Sequence, residues 1–359
     1  MTILNPFLRL EIDLGKIATN YKVLQKETGV ETTAVIKANA YGVEAIPAAR
    51  ALFDAGCRKF YVATIDEGIS LRKALPKEAI LYIFNSFIED HLPIFFENNL
   101  IPILTTLDQI KLYKKYGGTE YFLHFDTGMK RLSLPEDSVT DVLKIIPASA
   151  VSWVMTHLAC ADELENPKNK EQLEKFKQII KHFPQSKYSL ASSKGTNLGK
   201  DYFFDQVRMG IYLYGVTPSA ETTFSKKLRL ALKMQAQVLE VKSLKKGESV
   251  GYNATYTAKS PRIIATIGAG YADGVPLSYS NKACFWLSGH SVPLIGRVSM
   301  DLTTIDITDV PASLRKVGEW VDLIRDPMSF YEMSKASESS PHEMLTRLGQ
   351  RCNRSYKKV

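Results

Sequence analysis

Eight short apolar runs, most of them followed by a stretch able to wind into a helix, constrain this chain more than any other feature. The runs fall at 32–36, 59–63, 79–84, 101–104, 121–125, 151–155, 188–191 and 207–212, with helix-compatible stretches such as 45–55, 67–75, 107–116 and 168–182 between them. Eight strands alternating with helices over about 200 residues predict an α/β fold, a TIM-like (β/α)8 barrel, with a doubly wound open sheet as the other arrangement. Ahead of them, a short extended piece ends at Asp13, which can cap a helix carrying Ile17, Tyr21 and Leu24 at helical spacing.

The pattern changes near Thr222. Short alternating runs at 235–242, 262–268, 283–287, 291–295 and 303–306, separated by Gly, Pro and Lys turns, predict a mostly β second domain, closed by a helix around 342–348 and carrying a polar loop at 334–340. The expected division is a barrel domain over 1–225 and a C-terminal β domain over 226–359.

Composition serves mainly to exclude. With 45% hydrophobic and 23% charged residues among 359, the chain is an ordinary globular protein. Its formal charge of +8 is spread along the sequence without a recognition motif, which argues against nucleic acid as a partner. The N-terminus lacks a basic start followed by an apolar stretch and a small-residue cleavage site, and no apolar run reaches membrane-spanning length, so the expectation is a cytoplasmic protein with no membrane partner. The four cysteines form no C-x-x-C pair and the six histidines no H-x-x-x-H spacing, so no metal site is expected.

Barrels of this kind build their active sites at the C-terminal ends of the strands, and the unusual residues cluster there. Lys37 ends a β-branched run within Ala34-Val-Ile-Lys-Ala-Asn-Ala-Tyr-Gly42; Asp126-Thr-Gly-Met-Lys-Arg131 follows the fifth run, His157 the sixth and Ser192-Ser193 the seventh, while Arg208-Met-Gly210 lies in the eighth. An amine at the mouth of a buried strand can condense with an aldehyde, although solvated surface lysines are far commoner. The loops after strands seven and eight commonly hold phosphate, so a phosphorylated aldehyde cofactor suits both features. Tyr41 is close enough in sequence to reach such a phosphate, and Ser193 with the amides of Gly210 and Ile211 would add donors. His157 is placed to stack on a planar ring and to bond an arginine; the plainer alternative is a satisfied core histidine. Arg208 facing a pyridine nitrogen would keep that nitrogen unprotonated and favour return of a proton to the α-carbon. Arg131 suits a carboxylate, or a surface salt bridge. In the second domain, three loop-prone stretches stand out: Val250-Gly-Tyr-Asn-Ala-Thr-Tyr256, Ile267-Gly-Ala-Gly-Tyr-Ala-Asp-Gly274 and Gly296-Arg-Val-Ser-Met-Asp301.

Together these segments resemble the alanine racemases, bacterial enzymes that interconvert L- and D-alanine with pyridoxal 5′-phosphate (PLP). The resemblance spans nearly the whole chain and rests on seven motifs in order. It implies that Lys37 carries PLP, that Tyr41, Ser193, Gly210 and Ile211 bind its phosphate, and that His157 and Arg208 face its ring. It further implies a homodimer in which Lys37 and Tyr252 of the other subunit act as bases on opposite faces of the substrate, since racemisation needs proton transfer on both. Tyr271 and Met300 would come from the second domain to the substrate entrance, and Arg131 with the Met300 backbone would hold the carboxylate. The N-terminal strand would join the second domain, and the product D-alanine would supply peptidoglycan.

Three positions depart from the family pattern. His124 stands where a lysine, commonly carbamylated, precedes the Asp-Thr-Gly-Met segment, and Ser189 stands four residues before Ser193 in place of a frequent histidine. A C-terminal position often held by an entrance tyrosine aligns with Gln350. Serine or broad-specificity racemisation is the nearest alternative; a PLP decarboxylase and a non-catalytic PLP-binding protein are others, against which the Tyr252 segment argues.

Overall fold

The computed structural model describes residues 5–85, 87–217 and 222–357. The chain opens with strand β1 (Asn5–Asp13) and helix α1 (Leu14–Thr28), joined at Asp13, whose carboxylate accepts the Lys16 amide as an N-cap. Ile17, Tyr21 and Leu24 lie on the buried face of α1, as their spacing predicts.

The barrel follows. Strands β2 (Glu31–Val35), β3 (Lys59–Val62), β4 (Ile80–Ile83), β5 (Leu100–Leu104), β6 (Tyr121–His124), β7 (Val151–Met155), β8 (Lys187–Ser192) and β9 (Gln206–Met209) pair in parallel, and β9 returns to β2 to close the ring. The connections carry α2 (Lys37–Tyr41), α3 (Ala45–Asp54), α4 (Ile65–Ala74), α5 (Leu92–Glu97), α6 (Leu107–Lys115), α7 (Val139–Ile145) and α8 (Pro167–Ile180). Leu52, Leu71, Ile110, Leu173 and Phe176 are buried on the inner faces of these helices, each worth about 1.5–3 kcal/mol of apolar burial. Aromatic rings fill the barrel interior: Tyr61 stacks on Tyr82 and Phe84 at 4.7 and 5.2 Å, with Phe122 edge-on to Tyr82 at 5.1 Å. The Gln206 amide donates to the Tyr61 hydroxyl at 2.6 Å, so the interior is a packed floor and not a pore. The eighth strand stops at Met209, short of the expected 212, because Gly210 leaves the extended region and a 3-10 turn runs over Ile211–Tyr214.

The second domain contains β10 (Leu232–Leu244), β11 (Ser249–Val250), β12 (Tyr256–Thr257), β13 (Arg262–Ile267), β14 (Cys284–Leu287), β15 (His290–Pro293), β16 (Thr303–Asp306), β17 (Trp320–Ile324), helices α9 (Pro327–Ser337) and α10 (Pro341–Thr346), and β18 (Cys352–Lys357). Its main sheet runs β15-β14-β17-β10-β1-β18, and β10 also pairs with β13 beyond a register shift at Val238/Glu240. Strand β1 therefore sits between β10 and β18, joining both ends of the chain to this domain. Asn20 on α1 is wholly buried; its amide donates to the carbonyls of Leu213 and Arg229 and its oxygen accepts the Arg229 amide, fastening the crossover to the barrel. Four strands, β11, β12, β17 and β18, and α9, which takes in the first part of the expected polar loop, were not expected from the sequence. Among the described residues no helix is long and apolar enough to cross a membrane.

Candidate active site

A cavity of about 770 Å³ opens at the C-terminal ends of the barrel strands. Its walls include Lys37 and Tyr41 from α2, His124 from the end of β6, Arg131 from the following loop, His157 after β7, Ser193 after β8, Arg208 on β9, and Gly210 and Ile211 beyond it. Eight of the expected positions thus converge from five strand ends, which only a closed barrel would bring together.

Arg208 is fully buried among neutral partners. Its guanidinium donates to the Ser189 hydroxyl, to the carbonyls of Thr156 and Leu190 at 2.8 and 3.0 Å, and to His157 Nδ1 at 3.3 Å. Burial pulls its pKa down to about 10, so it remains a cation at neutral pH. Ser189 thus bonds the arginine directly. His157 is held far below the ordinary imidazole value by burial and by the neighbouring Arg208, and is neutral. His124 is pulled down to about 3 by burial, with Arg208 and Arg131 adding to the effect. The Asp126 carboxylate accepts the amides of Gly128 and Lys130 at 2.7 and 3.2 Å, folding the loop that carries Arg131.

Lys37 stands 5.9 Å from the centroid of Phe84. Burial and the positive field of Arg131 lower its pKa, while Glu67 opposes them. The segment after it is unusual: Ala38, Asn39, Ala40 and Tyr41 have φ of 52, 53, 55 and 58°, a left-handed turn made without glycine. This turn swings Tyr41 across the barrel mouth until its hydroxyl abuts Gly210, where an added Cβ would collide with it. The Gly210 amide donates to Ser193 Oγ at 2.8 Å, so two hydroxyls and a backbone amide meet at one corner. That corner is a cradle for a multiply charged anion.

The second domain closes one side. Helix α10 packs on the turn: Arg354 donates to the Gly42 carbonyl at 2.9 Å, and the backbone of Leu345 leaves no room for a Cβ on Gly42. His342 thereby comes 5.9 Å, ring to ring, from Tyr41, and His342, Glu343 and Thr346 line the cavity. Gln350 lies exposed and is not part of the cavity wall, which corrects its expected place; the first turn of α10, capped by Ser340, occupies that side. Helix α10 answers the closing helix expected around 342–348, but nothing in the sequence marked His342 as facing Tyr41. Tyr252, Tyr271 and Met300 are 68%, 47% and 53% exposed and lie outside their own chain's cavity.

Comparison with known proteins agrees along the full length. The family described as "Alanine racemase, N-terminal domain" matches residues 12–218, and "Alanine racemase, C-terminal domain" matches 231–356. An alanine racemase of Rhodospirillum rubrum is 40% identical over 357 residues, covering 97% of this chain and 95% of that protein; one of Rickettsia canadensis is 36% identical over 97% and 98%. The crystal structure of alanine racemase from Bartonella henselae with covalently bound pyridoxal phosphate superposes with a TM-score of 0.89 at 33% identity, over 98% of this chain and all of that one. The biosynthetic enzyme of Pseudomonas aeruginosa gives 0.90 at 30% identity, over 98% and 99%. The chain belongs to the alanine racemase family, enzymes of the isomerase class.

Proposed function

We propose that this protein interconverts L- and D-alanine with PLP carried on Lys37, in a homodimer where Tyr252 of the partner subunit supplies the second base. The observation that carries the reading is the convergence of a buried amine, a cationic wall and an anion cradle in one cavity.

The residues fit the cofactor. Tyr41, Ser193 and the amides of Gly210 and Ile211 would hold its phosphate, and burial with the field of Arg131 favours the neutral form of the Lys37 amine, the form that would bond an aldehyde. PLP, when bound, draws electrons from the substrate α-carbon and lowers the cost of removing its proton. Arg208 presents only donors to that wall, so the pyridine nitrogen facing it would stay unprotonated, which limits charge spreading into the ring. His157, bonded through Nδ1 to Arg208, would present its ring to the cofactor. Arg131 would hold the substrate carboxylate with the Met300 backbone, and Lys37 would move the proton on its own side of the α-carbon.

The opposite face needs a second base, which the family resemblance assigns to Tyr252 of the partner subunit. Tyr252, on the β11–β12 hairpin, is offered outward with Tyr271 and Met300, as groups completing a second copy's site would be. We divide the chain into a barrel domain over 1–225 and a β domain over 226–359 on the same grounds, the first holding the cofactor and the second reaching the partner. A cytoplasmic enzyme whose D-alanine enters peptidoglycan completes the proposal.

The test incubates purified protein and PLP with L-alanine, and separately L-serine, in D2O, following D-enantiomer formation and α-deuterium incorporation. D-Alanine appearing much faster than D-serine supports the reading. Comparable rates move it to a broad-specificity racemase, and cofactor binding without exchange on either substrate sinks it.

A further inference from the structure

The left-handed turn Lys37–Tyr41 needs an explanation that its own residues do not provide. Neither alanine nor tyrosine has a local device that favours this region, and left-handed helical backbone costs roughly 1–2 kcal/mol per residue. Part of the answer is internal: the Gly42 amide donates to the Ala38 and Asn39 carbonyls, and Asn39 Oδ1 accepts the Ala45 amide at 2.8 Å. The first amides of the turn have no such partners. They meet Glu67, whose Oε1 accepts Ala38 N at 2.6 Å and Asn39 N at 3.4 Å. Its Oε2 accepts Ala63 N at 2.8 Å and Thr64 N at 3.4 Å, at the end of β3. One half-buried carboxylate therefore ties two neighbouring strand ends together, and α4 fixes it through the reciprocal Thr64 cap.

We propose that Glu67 is a positioning residue of this site, clamping the left-handed turn so that the Lys37 amine and the Tyr41 hydroxyl both face the cavity. This deepens the reading in which Lys37 carries PLP and rests on it. Glu67 also opposes burial and Arg131 in the field at Lys37. The other titratable groups of the cavity include His124, His157 and His342, all held neutral, and Asp162, Glu343, Lys194 and Arg208 line it as well. A clamp of this kind differs from a merely stabilising contact, because its loss changes the amine itself.

The test uses the full-length chain with Glu67→Gln and Glu67→Ala. The glutamine keeps one acceptor oxygen and so preserves the fold where alanine fails to. PLP retention is measured by dialysis and by absorbance of the bound cofactor. In cofactor-stripped protein, acylation of Lys37 by acetic anhydride is followed against pH by peptide mass spectrometry. Losing a charged acceptor from two amides should weaken PLP by about tenfold or more in E67A and by less in E67Q. Without the carboxylate the ammonium form loses an anion that favours it, so acylation of Lys37 should quicken by about two- to fivefold at a fixed pH below the midpoint. An acylation profile that stays put or moves to higher pH in E67Q overturns the proposal, whatever happens to melting temperature. If the unsubstituted protein does not retain PLP on Lys37, the functional reading falls, and the acylation profile still decides the role of Glu67.

Discussion

The mouth of the barrel and the outer face of the β domain handle their polar groups in opposite ways. At the mouth, Arg208, Ser193 and His157 are enclosed and bonded to one another or to backbone. On the β domain, Tyr252, Tyr271 and Met300 stand open to solvent on short loops. A site that must hold a charged cofactor benefits from a rigid, fully bonded wall, because electrostatic preorganisation costs nothing at the moment of reaction. A base that must approach the opposite face of the substrate cannot be built from the same wall. In the proposed dimer, a base on the partner's second domain, reached through a two-fold interface, would solve the geometry.

Removing the amine tests the enclosed half most severely. Lys37→Ala should abolish bound-cofactor absorbance and cut racemisation by at least about ten-thousandfold, since on the proposed roles it deletes both the covalent anchor and one base. Tyr252→Phe strikes the open half. Cofactor should stay bound while turnover falls about a hundred- to ten-thousandfold, with α-proton exchange lost preferentially from one enantiomer. Unchanged racemisation by Y252F would dismantle the two-base assignment. The sharper form mixes the two inactive variants: if the halves meet across a dimer, hybrids carry one intact site, and subunit exchange should restore about a quarter of the wild-type sites. No recovery after demonstrated exchange would place both bases in one chain.

Gly210→Ala probes the anion corner by a smaller step. The new methyl group would push the Tyr41 hydroxyl away from the backbone at position 210, an overpacking cost of about 1–3 kcal/mol that should appear as roughly tenfold weaker PLP retention. Retention equal to the parent protein would mean that Tyr41 is not held against this backbone.

The enclosed half was largely legible in the sequence because its logic is periodic. A β-branched run ending at Lys37, an apolar run ending just before His157 and a run holding Arg208 mark strands, and barrel topology then brings their ends together. The residues that escaped notice act through conformation. Ala38-Asn39-Ala40 contains no glycine to announce a left-handed turn, and Glu67 reads as an ordinary first-turn acid of α4. His342 reaches the cavity only because α10 packs on Gly42, a contact 300 residues distant in sequence order from the turn it covers. Strand β18, Cys-Asn-Arg-Ser-Tyr-Lys, lacks a strand-like composition; pairing with β1 supplies what propensity does not.

The smallest expected effect separates the two halves by pH. His342 is pulled down to about 4 chiefly by burial, and His124 to about 3 by burial with Arg208 and Arg131. Both lie below the ordinary imidazole value near 6.5. In the unfolded chain these rings bind protons that the folded chain refuses, so stability is fully present above about pH 6.5 and is lost progressively as pH falls toward 4. Tyr252 and Tyr271 of the open half lie outside the cavity that these two histidines line. His342→Phe keeps a ring against Tyr41 and removes one of the refused protons. Its melting temperature should therefore decline less steeply than that of the parent protein between pH 6.5 and 4, while the two curves run parallel above pH 7. A parallel decline through the acid limb would show that His342 is as readily protonated in the folded chain as in the unfolded one, and that α10 does not seal this side of the cavity.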